Sequence, residues 1–163
     1  MYKRQPEEVR VGKIEVGDLA PDFTLKDHHG KDVTLSTFRG KKVALDFHPL
    51  AWTSVCAAQM KDLEKHAQKF EDLNAVALGL SIDSSFCKKA WAESLGITRT
   101  PLLADFWPHG EVARAYGVFR EKDGFSERAV FIVDAEGKVT FKKVYPISEL
   151  PDIGEILEQV EKA

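Results

Sequence analysis

Cysteine is scarce in this chain: two residues in 163, Cys56 and Cys87. Two cysteines do not make the framework of a disulfide-stapled secreted domain, and a chain of this length buries a sizeable core without staples. In a reducing compartment such a cysteine matters for its reactivity. A surplus of one charge is missing too. Twenty-three basic residues stand against 26 acidic ones, a net charge of −3, so no overall field draws the chain to nucleic acid or to an anionic membrane. No apolar run approaches the ~20 residues that a bilayer requires. The opening MYKRQPEEVR mixes both signs and lacks the apolar centre of a signal peptide, so a cytoplasmic location is expected. There is no Gly-rich phosphate loop. His28, His29, His48, His66 and His109 do not stand at ligand spacing from the cysteines, so neither a metal nor a cofactor is expected.

What is there reads as one globular domain, 44% hydrophobic and 30% charged. Residues 1–15 are polar and are expected to form an N-terminal arm, with the domain proper over 16–163. In DFTLKDHHGKDVTLSTF, Phe23 and Leu25 alternate with polar residues, His29-Gly30 marks a turn, and Val33 and Leu35 alternate again. That pattern predicts an N-terminal β-hairpin with His28 and His29 solvated at its turn. KKVALDFH is a short apolar strand. From Cys56 the apolar positions Met60, Leu63, Ala67 and Phe70 follow in steps of 4, 3, 4 and 3, the face of one helix. AVALGLSI is a buried strand. Asp83 and Ser84 offer N-caps for a helix that carries Cys87, Trp91 and Leu95 on one line and stops at Gly96. TPLLAD reads as a strand, GEVARAYG as a short helix, and RAVFIVDAEGKVTFKKVY as strand, turn and strand. A last helix with Pro151 in its first turn buries Ile153, Ile156, Leu157 and Val160. The alternation indicates an α/β class with a mixed central sheet flanked by helices.

The chemistry gathers in HPLAWTSVC, residues 48–56. Cys56 lies just past a strand's C-terminal end, in the first turn of the next helix, the edge at which open α/β sheets place their sites. A helix start carries unpaired N–H groups and about half a positive charge, which favours a thiolate over the free thiol of pKa ~8.5. Thr53, at or near the N-cap, can accept and donate, and so can bridge a thiolate and a small oxygen-bearing substrate. Pro49 has no N–H and walls off the sulfur from water. The three build a small, partly dry pocket that suits a compact electrophile. The competing reading is a plain buried cysteine on an apolar stripe, and the helix-start context favours the reactive one.

FHPLAWTSVC resembles the active-site loop of the peroxiredoxins, thiol peroxidases on a thioredoxin-like fold. VGDLAPDFTL, LLADFWPHGEVARAYGVF and RAVFIVDAEGKV are similar to further segments of that family, so the likeness spans about residues 16–145. It is nearest to the small bacterial alkyl hydroperoxide reductase E and bacterioferritin-comigratory types. The resemblance implies Cys56 as the peroxidatic cysteine, Thr53 as the residue that bonds peroxide and thiolate, Pro49 as the shield, and Arg128 as the arginine that holds the thiolate and polarises the peroxide. Arg120, in a polar loop, matches no motif. It implies no cofactor, a peroxide substrate, thioredoxin or a similar small thiol protein as reductant, and a homodimer with Phe106, Trp107 and Tyr116 as apolar contacts. Three positions depart from the commonest pattern: His48, Trp52, and Gln59 where Glu is frequent. His48 is read as pocket packing that retains a capacity to titrate near neutrality.

Cys87 follows Cys56 by 31 residues and also opens a helix after a strand. If both strands are parallel, both helix starts emerge at one edge. Some relatives carry a resolving cysteine in this helix, which implies a Cys56–Cys87 disulfide; the alternatives are that Cys87 packs against Trp91 and Leu95, and that an external thiol reduces Cys56. Two other functions compete. A thiol-disulfide oxidoreductase would normally carry Cys-x-x-Cys, where this chain has Gln59, and a non-catalytic thioredoxin-like redox sensor would share only the fold.

Overall fold

The computed structural model describes residues 14–163, so the arm expected over 1–15 lies outside the described residues as far as 13. Ile14 is already buried in the core, and its carbonyl accepts from Lys142 Nζ at 2.8 Å. The predicted hairpin is β1 (Thr24–Asp27) with β2 (Asp32–Thr34), paired antiparallel. Its turn is held by the Asp27 carboxylate, which accepts the N–H groups of His29 and Lys31. A 3-10 turn, Leu35–Phe38, leads to β3 (Lys42–Phe47).

After β3 come α1 (Ser54–Lys65) and α2 (Ala67–Asp72), β4 (Ala75–Ser81), α3 (Ser85–Leu95), β5 (Leu102–Ala104) and α4 (Glu111–Ala115). The short ribbon β6 (Phe119–Arg120) and β7 (Phe125–Ser126) precedes β8 (Arg128–Val133), β9 (Val139–Tyr145) and α5 (Ile153–Lys162). One seven-stranded sheet runs in the order β2-β1-β5-β4-β3-β8-β9. β3, β4 and β5 are parallel, while β8, β9, β1 and β2 are antiparallel to their neighbours. The sheet is therefore mixed, as expected.

Alternation along the central strands sorts the core. Leu45, Phe47, Leu78, Leu80, Phe131 and Val133 point to one face and pack with Phe23, Leu35, α4 and Tyr116. Ala44, Ala77, Val130 and Ile132 point to the other and pack with α1, α2, α3 and α5. The small Ala side chains let α1 lie close to the sheet.

Several expectations are corrected. The helix expected from Cys56 to Phe70 breaks at His66, which leaves helical geometry (φ −104°, ψ 14°). Phe70 stays buried on the same side, so the apolar period continues across a one-residue break and hides it. Pro151 lies outside α5, because Asp152 is the N-cap and accepts from Gly154 N at 2.9 Å. His28 is not solvated: it is 5% exposed, and its Nδ1 accepts from Leu102 N at 3.2 Å. Tyr116 belongs to the core at 0% exposure, with its hydroxyl donating to Pro21 O, so it contributes nothing to an outer surface. Phe106 and Trp107 do remain exposed.

Gly79 shows how tightly α1 is set. It lies opposite Asp46 of β3 and Leu102 of β5, and a Cβ there would overlap Met60 Sδ of α1 and sit 3.0 Å from Leu102 Cδ2. Met60 is itself fully buried and has little room to retreat. Gly79→Ala is expected to destabilise the fold by about 1–3 kcal/mol, measured as a lowered urea midpoint at an unchanged slope.

Candidate active site

Cys56 is the third residue of α1, whose N-cap is Thr53. The parallel β3 and β4 deliver α1 and α3 to the same sheet edge, so the starts that carry Cys56 and Cys87 are neighbours in the fold. Arg128 reaches this edge from the opposite direction. β8 runs antiparallel to β3, and its first residue lies one position beyond the Phe47–Ala129 pair.

Arg128 Nη1 donates to Cys56 Sγ at 3.3 Å and to Gln59 Oε1 at 2.7 Å, while its Nε donates to Ile147 O at 2.9 Å. Cys56 is 0% exposed and Arg128 2%. Among the described residues no carboxylate lies within 4.0 Å of this guanidinium. A cation fixed on a buried sulfur at a helix start supplies positive charge at the atom where a nucleophile would carry negative charge. Gln59, one turn after Cys56, spends its other end on Asp46: Nε2 donates to Oδ1 at 2.7 Å.

Pro49, Thr53 and Arg128 line one concave pocket of about 270 Å³ with Leu50, Val55, Phe125 and Ile147. Pro49 is buried, as a shield requires, and Thr53 is exposed at the rim. The Thr53 hydroxyl makes no capping bond and instead donates to Leu50 O at 2.8 Å, which leaves its lone pairs as acceptors. Pro49, Thr53 and Arg128 thus meet at one pocket, and Cys56 joins them through its contact with Arg128. Phe125 and Ile147 went unnoticed in the sequence, since each is a single apolar residue in a polar stretch.

A second buried network lies beneath the same loop. His48 is 0% exposed and rests on Trp91, with ring centroids 5.4 Å apart. Its Nδ1 faces Asp46 O at 3.4 Å and its Nε2 faces Lys88 Nζ at 3.2 Å. Burial, then the Lys88 charge, holds His48 well below the usual histidine range, so the titration near neutrality expected for it gives way to a neutral ring that accepts from Lys88. Lys88 is 0% exposed and donates to Ser81 Oγ at 2.6 Å; Ser81 Oγ donates to Asp83 Oδ2 at 2.6 Å. Burial pushes the Lys88 ammonium down to about 7, with Asp83 pulling it back up.

Asp83 joins the two cysteine segments. Oδ2 also accepts Ala51 N–H at 2.9 Å, and Oδ1 faces Cys87 Sγ at 3.9 Å. Cys87 N donates to the Ser84 cap at 3.1 Å, the N-cap expected for this helix. Burial, then Asp83, raises the Cys87 thiol, and Trp52 opposes them. Trp52 adopts φ 69°, a conformation that bulky residues rarely take. Both cysteines are free thiols. Asp46 and Lys88 are the residues that sequence reading passed over. Their signal was present, a charge inside an otherwise apolar strand and a lysine on the buried side of a helix. Arg120 lies in β6 and pairs with Asp123 and Glu127, away from Cys56.

The AhpC/TSA family model matches residues 16–142. Alkyl hydroperoxide reductase E of Mycobacterium tuberculosis is 43% identical over 140 residues, 85% of this chain and 91% of that protein. Peroxiredoxin-1 of Gallus gallus is 37% identical over 136 residues, 77% of this chain and 67% of that one. The crystal structure of reduced Plasmodium vivax 2-Cys peroxiredoxin is 29% identical, with a TM-score of 0.83 over 90% of this chain and 80% of that one. That of the Mycobacterium tuberculosis peroxidoxin BcpB is 26% identical, with a TM-score of 0.80 over 91% and 97%. The chain belongs to the AhpC/TSA family and has its thioredoxin-like fold. Its activity is that of the peroxiredoxins, the thiol-dependent reduction of peroxides.

Lys88 offers a test of the buried network. Its proton is held more weakly in the folded chain (about 7) than at the ordinary value of 10.5, so the unfolded chain binds more protons between those values and stability rises with pH across that window. Lys88→Met removes the cost of burying the charge. It is expected to abolish the rise of stability with pH between about 7 and about 10. Urea unfolding at several pH values reads this out.

Proposed function

We propose that Cys56 is the peroxidatic cysteine and that Arg128, Thr53 and Pro49 form its site. The observation that carries this reading is the 3.3 Å contact of Arg128 Nη1 with Cys56 Sγ, both buried at the start of α1. The thiolate attacks the terminal oxygen of ROOH along the O–O axis. An S–O bond forms, the O–O bond breaks, and the leaving RO⁻ takes a proton from water to become ROH. Cysteine is oxidised to sulfenic acid and the peroxide is reduced by two electrons. Arg128 and the α1 backbone N–H groups stabilise the negative charge as it moves between oxygens. Thr53 accepts from the peroxide O–H, and Pro49 keeps water from the sulfur. The apolar lining from Leu50, Val55, Phe125 and Ile147 favours organic hydroperoxides alongside hydrogen peroxide, in line with the name of the mycobacterial relative.

Cys87 is proposed as the resolving cysteine. Its thiol attacks the Cys56 sulfenic acid, a disulfide forms and water leaves. The shared sheet edge and the Asp83 link from Ala51 to Cys87 support this. A disulfide requires Cα atoms about 5.5 Å apart, so the first turn of one or both helices opens. Thioredoxin or a similar small dithiol protein then returns both thiols by exchange. The functional unit is residues 16–163, in a cytoplasmic homodimer; the exposed Phe106 and Trp107 support its apolar contacts. Among the described residues no helix is long and apolar enough to cross a membrane.

Trp52 adjoins the site and reports the reaction by stopped-flow fluorescence. Rapid oxidation by peroxide is expected in the wild type, none in Cys56→Ser, and a loss of about 10²–10³-fold in Arg128→Ala. Oxidation no faster than that of free cysteine would remove this reading. For Cys87, intact mass after slight peroxide excess should show an internal disulfide in the wild type and sulfenic or sulfinic acid in Cys87→Ser; equal sulfinic acid in both would leave Cys87 a packing residue.

A further inference from the structure

A strand buried on both faces is a costly place for a carboxylate. Asp46 sits there at 0% exposure, between β4 and β8. Its Oδ2 has no hydrogen-bond partner among the described residues. Oδ1 takes the Gln59 amide N–H at 2.7 Å, the Gln59 carbonyl takes Arg128 Nη1 at 2.7 Å, and the same Nη1 donates to Cys56 Sγ at 3.3 Å. Three contacts thus run from an ionisable carboxyl to the reacting sulfur. Gln59 can stand only one way round in this chain, because a reversed amide would set its NH2 against the guanidinium.

We propose that Asp46 is a positioning residue of the peroxide site that governs how much of the Arg128 charge reaches Cys56 and its substrate, acting through the Gln59 amide. Ionised, Asp46 polarises the amide so that its carbonyl draws harder on Arg128. It also cancels part of the field of that cation. Protonated, it leaves that field to the sulfur and to the peroxide oxygens on which charge develops. Burial raises the Asp46 carboxyl to about 7, against the pull of Gln59 and Arg128, so the change of charge falls in the neutral range.

The groups around Asp46 are few. α1 presents Cys56, Gln59 and Asp62; β8 presents Arg128; and β9 presents Tyr145, with Glu155 of α5 bonded to the Tyr145 hydroxyl. β4 presents Gly79 opposite, and the Asp46 carbonyl faces His48 Nδ1. Arg128 is the only cation in that set, and Asp46 and a Cys56 thiolate compete for it. Conversion of Cys56 to its uncharged sulfenic acid ends that competition and favours release of the Asp46 proton.

The inference rests on the assignment of Cys56 and Arg128, and its test separates the two. The rate of Cys56 oxidation is followed from about pH 6 to about pH 8.5 in wild type, Asp46→Asn and Asp46→Leu. In the wild type, a fall of about three- to tenfold is expected as Asp46 ionises through about 7. Asp46→Asn keeps an acceptor for Gln59 but no charge, so it should match the wild type at the acid end and exceed it by that factor at the alkaline end. Asp46→Leu removes the anchor as well and should be slower at every pH. An Asp46→Asn profile that superposes on the wild type, or lies below it by one constant factor, overturns the proposal. A wild type that fails to react with peroxide overturns the assignment beneath it. Independently of Asp46 variants, isotope-labelled aspartate NMR on the folded protein should show one buried carboxyl whose midpoint falls in Cys56→Ser relative to the reduced wild type. An unchanged midpoint also overturns the coupling.

Discussion

The contact between a buried guanidinium and a buried sulfur is the constraint around which the rest of this molecule is arranged. Arg128 and Cys56 are 72 residues apart in the chain and 3.3 Å apart in space. A cation held away from water is costly unless it is hydrogen-bonded. The fold supplies Ile147 O for Nε, Gln59 Oε1 for Nη1, and the sulfur itself. The antiparallel pairing of β8 with β3 places the arginine, and the parallel pairing of β3 with β4 places the helix start that meets it. A slip of one residue in β8 would turn Arg128 to the other face of the sheet.

Two polar networks support that contact, and both run through the central strands of the sheet, β3 and β4. Asp46, near the end of β3, reaches the site through Gln59. Ser81 and Asp83, at and just beyond the end of β4, tie Lys88 of α3 to the backbone of Ala51 in the loop before Cys56. His48 sits between the networks, with one ring nitrogen toward the Asp46 carbonyl and the other toward Lys88. Four ionisable groups, Asp46, His48, Lys88 and Arg128, therefore lie buried at one sheet edge. In so dry a region each charge is felt strongly by the others. A fold that needed only stability would have filled these positions with apolar side chains, and such a concentration of buried ionisable groups marks the place where chemistry is done.

Much of this was legible in the chain. The strands and helices carry their periods openly, and the α/β class follows from their order. Cys56, Thr53 and Pro49 share one short segment, so their juxtaposition needs no long-range pairing. The misjudged elements have specific causes. The break at His66 leaves the apolar period intact. His28 resembles a turn residue in sequence, yet its ring turns inward to accept Leu102 N–H. Tyr116 carries a polar hydroxyl, but Pro21 O satisfies it inside the core. Asp46 and Lys88 passed without notice because composition does not say what a buried charge will meet.

The sequence by itself determined the local facts: a cysteine at a helix start, a proline and a threonine at set offsets before it, and strands that alternate. Those follow from covalent spacing and from side-chain periods of two and 3.6 residues, which act over a few positions at a time. Only the tertiary structure decided that the arginine, the glutamine and the aspartate form one line to the sulfur, and that a lysine lies beneath the same loop. Strand order and register set those distances. They are fixed by burial of both sheet faces at once, a cooperative outcome that no single segment encodes.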